Sequence, residues 1–251
     1  MEKSLYENIY QVEETHWWYE ARRDIIFDWV KHMLLNNKMP RILDIGCGTG
    51  FNITYLHQLG YRQVDGLDIS RDALMYCKSR QLNSLTIASA ENLPIQRSTY
   101  DVILALDIVE HIADDRQVMA EIFRILKTDG ALIVFVPAYQ FLWSFQDEIS
   151  HHQRRYEAND LKHKVTQAGF EIKKLSYVNS FLFPVIWFGR NILRTFPSFF
   201  KISSESQMNP TWMNKFLYYI FKAEMPLLRF MNFPFGVSII CVCTKPKTFQ
   251  S

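Results

Sequence analysis

The stretch RILDIGCGTG, residues 41–50, passes from a short apolar run into a carboxylate, Asp44, and then into glycines at alternate positions, Gly46, Gly48 and Gly50. Glycines so placed let a backbone turn sharply and come close to a ligand, because no Cβ stands in the way. The stretch therefore reads as a strand feeding a loop, and NITYLHQLG behind it reads as the helix that the loop opens, stopped at Gly60. A chain that starts its core with strand, glycine loop and helix is directed toward folds that repeat this unit.

The repeats follow. QVDGLDIS is a second strand, with an amphipathic helix running through Tyr76 and Cys77. SLTIASA is a third strand, and YDVILALDIVEHI a fourth, apolar almost throughout, as a strand buried on both faces should be. DRQVMAEIFRILKTDG reads as a helix with Val118, Ile122, Ile125 and Leu126 on its apolar face, closing on Asp129-Gly130 before a fifth strand, ALIVFVP. Strands alternating with helices at this spacing predict a parallel α/β sheet with right-handed crossovers. After Pro137 the period is lost. AYQFLWSFQDEISHHQRRY reads as a loop with short helical turns, EANDLKHKVTQAGF as a helix, EIKKLSYV as a sixth strand and GVSIICVCT as the last. Residues 16–35 read as helical. The expected organisation is an N-terminal helical lid over 1–38, an α/β domain from 39–180 and 236–247, and a helical insert over 181–235 that is about a quarter aromatic.

Composition excludes several classes. With 251 residues, 48% of them apolar, the chain can bury one sizeable core, and a net charge of +2 without a basic run gives no nucleic-acid footprint. Cys47, Cys77, Cys241 and Cys243 do not form a disulfide framework in a chain of this length, and are expected as reduced thiols in a cytoplasmic protein. The opening MEKSLYENIYQVEE has no apolar signal core, and charge interrupts each apolar window before it could span a bilayer.

A dinucleotide loop needs Gly-x-Gly-x-x-Gly, and the third glycine would fall at Phe51 or Ile53, so both registers fail. No Gly-Lys-Ser/Thr follows, which excludes a Walker loop. The pattern that does stand, Asp44-x-Gly46-x-Gly48-x-Gly50 with Asp68 ending the second strand, resembles motif I of the class I S-adenosylmethionine (SAM)-dependent methyltransferases. ASAENLP resembles that family's turn over the adenine, with Ser89 where Asp is common, and YDVILALDIVEHI resembles its motif IV. HWWYEARR and HHQRRY are similar to paired signatures of a bacterial branch of the family, related to methyltransferase types 11 and 12. The resemblance implies a Rossmann-like seven-stranded sheet of order 3-2-1-4-5-7-6 with the last strand antiparallel. It implies SAM as cofactor and S-adenosylhomocysteine as product. Its cofactor residues would be Asp44, Gly46, Cys47, Gly48, Gly50, Asp68, Ile69, Ser89, Ala90, Glu91, Leu106 and Asp107, with Arg22 near the methionine carboxylate.

Methyl transfer to oxygen or nitrogen needs position, a dry site and a proton acceptor. His152 heads H-x-R-R-Y and is the first candidate base, since imidazole titrates near neutral pH, although spacing does not separate it from His151. Tyr139 and His111 are further catalytic candidates, and Trp18, Tyr139, Asp147, Arg155 and Tyr156 are expected around the acceptor. Asp107, Glu110 and His111 resemble an acid-x-x-Glu-His stretch associated with divalent metal in ubiquinone-pathway O-methyltransferases. The same Glu-His also stands in methyltransferases that need none, capping the next helix, and no metal is expected. The leading expectation is methylation, at O more than N, of a hydrophobic or amphiphilic small molecule such as a natural product or a lipid-linked intermediate. Methylation of a peptide or protein chain end, and a SAM-binding partner protein without turnover, stay open. The insert, with Arg190, Arg194, Lys201, Lys215, Lys222 and Arg229, fits a substrate cap, a surface touching anionic lipid at the membrane periphery, or packing and a homodimer contact.

Overall fold

The computed structural model describes residues 3–34, 37, 39–195 and 209–247. Its parallel strands are the apolar runs of the sequence: β1 (Arg41–Ile45), β2 (Gln63–Asp68), β3 (Leu85–Ile87), β4 (Tyr100–Leu106), β5 (Leu126–Pro137) and β6 (Glu171–Val178). The last strand, β7 (Ser238–Thr244), runs antiparallel between β5 and β6. The resulting seven-stranded sheet has the order β3-β2-β1-β4-β5-β7-β6 expected from the sequence.

Alternation along each strand sends side chains to two cores. Ile42, Val102, Leu104, Ile133 and Ile240 face α2 (Trp17–Met33), α3 (Phe51–Gln58), α4 (Arg71–Ser79) and, from the insert, α9 (Thr211–Lys222) and α10 (Glu224–Leu228). Leu43, Ile45, Ile103, Val134 and Cys241 face α5 (Asp115–Ile125) and α7 (Ala158–Gln167). The remaining helices, α1 (Lys3–Val12), α6 (Phe145–Ile149) and α8 (Phe183–Thr195), belong to the N-terminal region, the loop after β5 and the insert. Residues 196–208 of the insert, Lys201 among them, and the Arg194 side chain lie outside what is described.

Three element ends differ from the sequence reading. Helix α5 stops at Ile125 rather than at Asp129-Gly130, because Leu126 already pairs with Tyr100 of β4; the strand then accommodates an irregularity before Ala131 pairs with Val102. Strand β4 ends at Leu106, because Asp107 takes a positive φ of 52° and turns the chain into a short 3-10 segment, Val109–His111. Strand β3 is only Leu85–Ile87, a partly exposed edge where continued pairing would bury little. All four cysteines are free and buried. Among the described residues no helix is long and apolar enough to cross a membrane.

Candidate active site

The carboxyl ends of β1, β4 and β5 open on a cavity of about 320 Å³. Its walls are the α1–α2 corner, the glycine loop, the end of β4, the segment after β5 and one side of α8. Open α/β sheets bind ligands at this end, where neighbouring crossovers leave in opposite directions.

The glycine loop forms one wall. Gly46, Gly48 and Gly50 have φ of 69°, 55° and 85°, left-handed values that other residues adopt at a cost. At Gly46 a Cβ would also fall 2.7 Å from Cγ1 of Ile108. Behind the loop Asp44 is 1% exposed, and neither carboxylate oxygen has a hydrogen-bond partner. Burial pushes its carboxyl up to about 7 against the pull of the Arg22 guanidinium and then of the Asn52 amide. A buried carboxylate without partners is costly unless a cation or donor arrives to meet it. At the end of β2, Asp68 accepts from the Gly48 N–H at 2.9 Å and from the Ser70 N–H at 2.8 Å. A carboxylate offers about four acceptor positions, so Asp68 keeps capacity for further donors.

The N-terminal helices close over this wall. His16 caps α2 by accepting from the Trp18 N–H at 3.3 Å, which gives the His-Trp-Trp signature a local structural role. Arg22 reaches Asp107 at 2.7 Å and lies over the rings of Trp18 and Phe135. Burial raises Asp107 above its ordinary range while Arg22 opposes the rise. Glu13, which the sequence reading did not single out, accepts from the Thr49 hydroxyl and, at 3.0 Å, from Arg80. Arg80 also donates to the Thr49 carbonyl at 3.1 Å, so the α1–α2 corner is tied directly to the glycine loop.

The opposite wall is a loop closed on itself. An isolated bridge joins Ala138 to Tyr156, and within the loop Asp147 is fully buried at the third position of α6. Asp147 accepts from Nδ1 of His152 at 2.8 Å, from Nε and Nη2 of Arg155 at 2.8 and 2.9 Å, and from the Ser144 N–H at 2.8 Å. Burial opposes its ionisation, but the His152 hydrogen bond and the Arg155 charge outweigh burial and hold the carboxyl well below the usual range. An ionised Asp147 makes Nδ1 of His152 the protonated nitrogen, leaving Nε2 as acceptor, 3.8 Å from Glu110. Glu110 is fully buried, neither of its carboxylate oxygens has a hydrogen-bond partner, and burial and then Asp107 push its carboxyl well above the ordinary value. His111 packs edge-on against His152 and is held down at about 3, chiefly by burial, so it stays neutral. Donor atoms of Glu110, His111 and His152 lie within 4.8 Å of one another, a set able to hold a divalent ion. Asp107, named with Glu110 and His111 from sequence, is instead engaged by Arg22.

The cavity thus brings together Trp18, Arg22, Gly46, Cys47, Gly48, Leu106, Asp107, His111, Asp147, His152 and Arg155 from the sequence expectations. Asp44, Gly50 and Asp68 lie behind or beside the loop. The turn of Ser89, Ala90 and Glu91, where Ser89 donates to Glu91 at 3.2 Å, and the 69% exposed Ile69 do not line it. Nor do the two tyrosines. Tyr139 stacks on Tyr177 and Phe141, and Tyr156 is a core residue whose hydroxyl donates to Asp115 at 2.8 Å. Asn179, just past β6, was not legible as a site residue. It is fully buried on the cavity wall, and neither amide atom has a hydrogen-bond partner.

Known proteins agree with this architecture. Residues 43–134 match the family model described as "Methyltransferase domain". A probable S-adenosylmethionine-dependent methyltransferase of Mycolicibacterium smegmatis is 24% identical over 164 residues, 64% of this chain and 62% of the relative. A biotin biosynthesis bifunctional protein of Cellvibrio japonicus is 31% identical over 148 residues, 56% of this chain and 29% of the relative. Residues 43–134 thus match a methyltransferase domain, and the sheet around them has the fold of class I SAM-dependent methyltransferases. Phosphoethanolamine N-methyltransferase 2 of Haemonchus contortus, solved with S-adenosyl-L-methionine, shares the fold at a TM-score of 0.59 and 18% identity, over 88% of this chain and 52% of that one. The chain therefore spans less than two thirds of the length of these curated relatives. The cofactor of such a domain is SAM, and the residues present fit it. The ligand carries a sulfonium and an ammonium, and Asp44 is a buried carboxylate with both oxygens unpartnered behind a loop of three left-handed glycines.

Proposed function

We propose that this chain transfers the methyl group of SAM to a hydrophobic or amphiphilic small molecule, at oxygen in preference to nitrogen. The observation that carries this reading is the Asp147–His152 pair on the wall facing the glycine loop. Bound SAM supplies an electrophilic methyl on sulfur. What this chain adds is a base, a fixed geometry and a dry site.

The base is Nε2 of His152. Asp147 holds the tautomer by accepting from Nδ1, and after His152 takes the acceptor's proton, the ionised Asp147 stabilises the imidazolium. Arg155 keeps Asp147 ionised and oriented. Oxygen is favoured because a hydroxyl becomes a good nucleophile only as its proton is taken, which a fixed base serves, whereas a neutral amine attacks through its lone pair without one. Asn179 offers a buried amide to a polar group on the acceptor, while Trp17, Trp18 and Val237 exclude water. Helices α1 and α2 act as the lid, with Arg22 turned into the cavity.

The test is to incubate the chain with methyl-labelled SAM and fractionated host extract, and to follow the label into an organic-soluble product. His152→Ala should lower turnover by about a hundredfold or more while SAM affinity stays within about threefold. Unchanged turnover removes the base assignment. Absence of SAM binding by calorimetry removes the whole reading.

A further inference from the structure

One stripe of the N-terminal region faces the cavity. Tyr6, Ile9, Glu13 and His16 stand at intervals of three, four and three and all line it, as one face of a helix does. The helical bonding of α1 continues past Val12, with the Glu13 N–H donating to the Ile9 carbonyl and the His16 N–H to the Val12 carbonyl, each at 2.8 Å. The stripe begins at Tyr6, beside Ser70 and Asp68. It crosses the glycine loop where Glu13 accepts from the Thr49 hydroxyl, and it ends at His16.

His16 is 3% exposed, and burial holds its imidazole down at about 4, so the ring is neutral. Its Nδ1 accepts from the Trp18 N–H, which leaves the proton on Nε2. That buried Nε2–H has no hydrogen-bond partner, a condition that costs stability until an acceptor meets it. Capping α2 does not require it. An N-cap needs one acceptor, which Ser, Thr or Asp supplies from a shorter side chain. Arg22 is in the same condition: its Nη2 reaches Asp107 at 2.7 Å, while its buried Nε–H has no partner.

Both unpaired atoms are donors on the α1–α2 corner, and both residues line the cavity. They suit an anion, and the methionine carboxylate is the one anionic group that SAM carries. The ribose hydroxyls are donors that suit the other end of the stripe, where the Asp68 carboxylate keeps acceptor capacity. The Arg22 charge also acts on Asp44. The ammonium and carboxylate of an amino acid hang on one carbon, so a carboxylate held at Arg22 leaves the ammonium on the Asp44 side.

We propose that His16 recognises the cofactor: its Nε2–H, together with the Nε–H of Arg22, holds the methionine carboxylate of SAM. The inference rests on SAM as the cofactor and on no particular acceptor. It gives the first residue of the His-Trp-Trp signature two tasks, one for each ring nitrogen.

The experiment is calorimetric binding of SAM and of decarboxylated SAM, which keeps the sulfonium and the ammonium, to the full chain and to His16→Asn. Asparagine retains the capping acceptor but does not reach the place of Nε2. The wild-type chain should prefer SAM over the decarboxylated ligand by about tenfold or more, as expected for hydrogen bonds to a charged group. His16→Asn should lose about tenfold in SAM affinity, keep its melting temperature, and bind decarboxylated SAM within about twofold of wild type. His16→Gln, whose longer side chain carries an amide N–H toward the same place, should recover part of the loss. Equal wild-type affinity for the two ligands overturns the inference without any variant. So does an unchanged SAM affinity in His16→Asn, or a loss of the same size for both ligands, which would leave His16 a cap alone. Failure of the wild-type chain to bind either ligand overturns the methyltransferase reading as well, so the two failures are distinguishable.

Discussion

Asp44, behind the glycine loop, and Asp147, behind His152, are both buried aspartates at one cavity, and they are driven in opposite directions. Asp147 has a full set of donors, including a guanidinium, and is held far below its ordinary value. Asp44 has no hydrogen-bond partner and is pushed up to about 7. The difference separates a wall whose buried carboxylate is met by donors from a wall whose buried carboxylate is not. Environments that drive two like groups apart in this way mark a division of labour within a site. Under the proposed methyl transfer, Asp147 would orient the base, and Asp44 would meet the cationic cofactor.

The comparison breaks most visibly at Asp147. Asp147→Ala leaves the 5% exposed Arg155 without its carboxylate and should cost about 3–5 kcal/mol in urea unfolding. A loss below about 1 kcal/mol would mean the wall does not depend on that ion pair.

Asp44→Asn should act in the other sense. The folded chain holds the Asp44 proton up to about pH 7, while an unfolded aspartate releases it near pH 4. The folded state therefore loses stability as pH rises through that window, and loses no more above it. Asp44→Asn should raise the melting temperature of the ligand-free chain by several degrees at pH 8 and by less at pH 5. It should also weaken SAM binding about tenfold or more at pH 8 and abolish the proton release that accompanies binding to the wild-type chain below pH 7. Calorimetry in buffers of different ionisation enthalpy reads that proton directly. An Asn variant less stable than wild type at pH 8 would show that Asp44 is not an unsatisfied charge.

Gly46→Ala forces a Cβ onto a left-handed residue 2.7 Å from Ile108 Cγ1. Its expected cost is about 1–2 kcal/mol, read as a roughly tenfold or greater loss of SAM affinity. At the small end, Tyr139→Phe should leave turnover within about twofold, because the hydroxyl reaches the Pro234 carbonyl at 3.5 Å and the Tyr177 side chain, and the ring is stacked away from the cavity. A large loss there would move the acceptor toward β6 and enlarge the wall that carries Asp147.

Much of the first wall was legible because it is contiguous. Asp44, the three glycines and Asp68 act through backbone turns and strand ends, and those follow from short-range pattern. The His152–Asp147–Arg155 set was also close in sequence, and the candidates named there do meet. Tyr156 was named with them by adjacency. Successive side chains of an extended segment point to opposite sides, and at the Ala138–Tyr156 bridge its ring went to the core beside Asp115. Glu13 and Asn179 left no signal, since each matters only through what folding brings beside it: Thr49 and Arg80 for one, the cavity wall for the other.

The sequence by itself determined the sheet and the cofactor loop, because hydrophobic period and glycine placement are local constraints that every longer-range arrangement must respect. Tertiary structure decided which carboxylates were satisfied. Asp44 and Asp147 are the same residue type in equally buried positions, and the groups packed around them, Arg155 and His152 at one, the Arg22 charge and the Asn52 amide at the other, set which carboxyl is held far below its ordinary value and which is pushed above it.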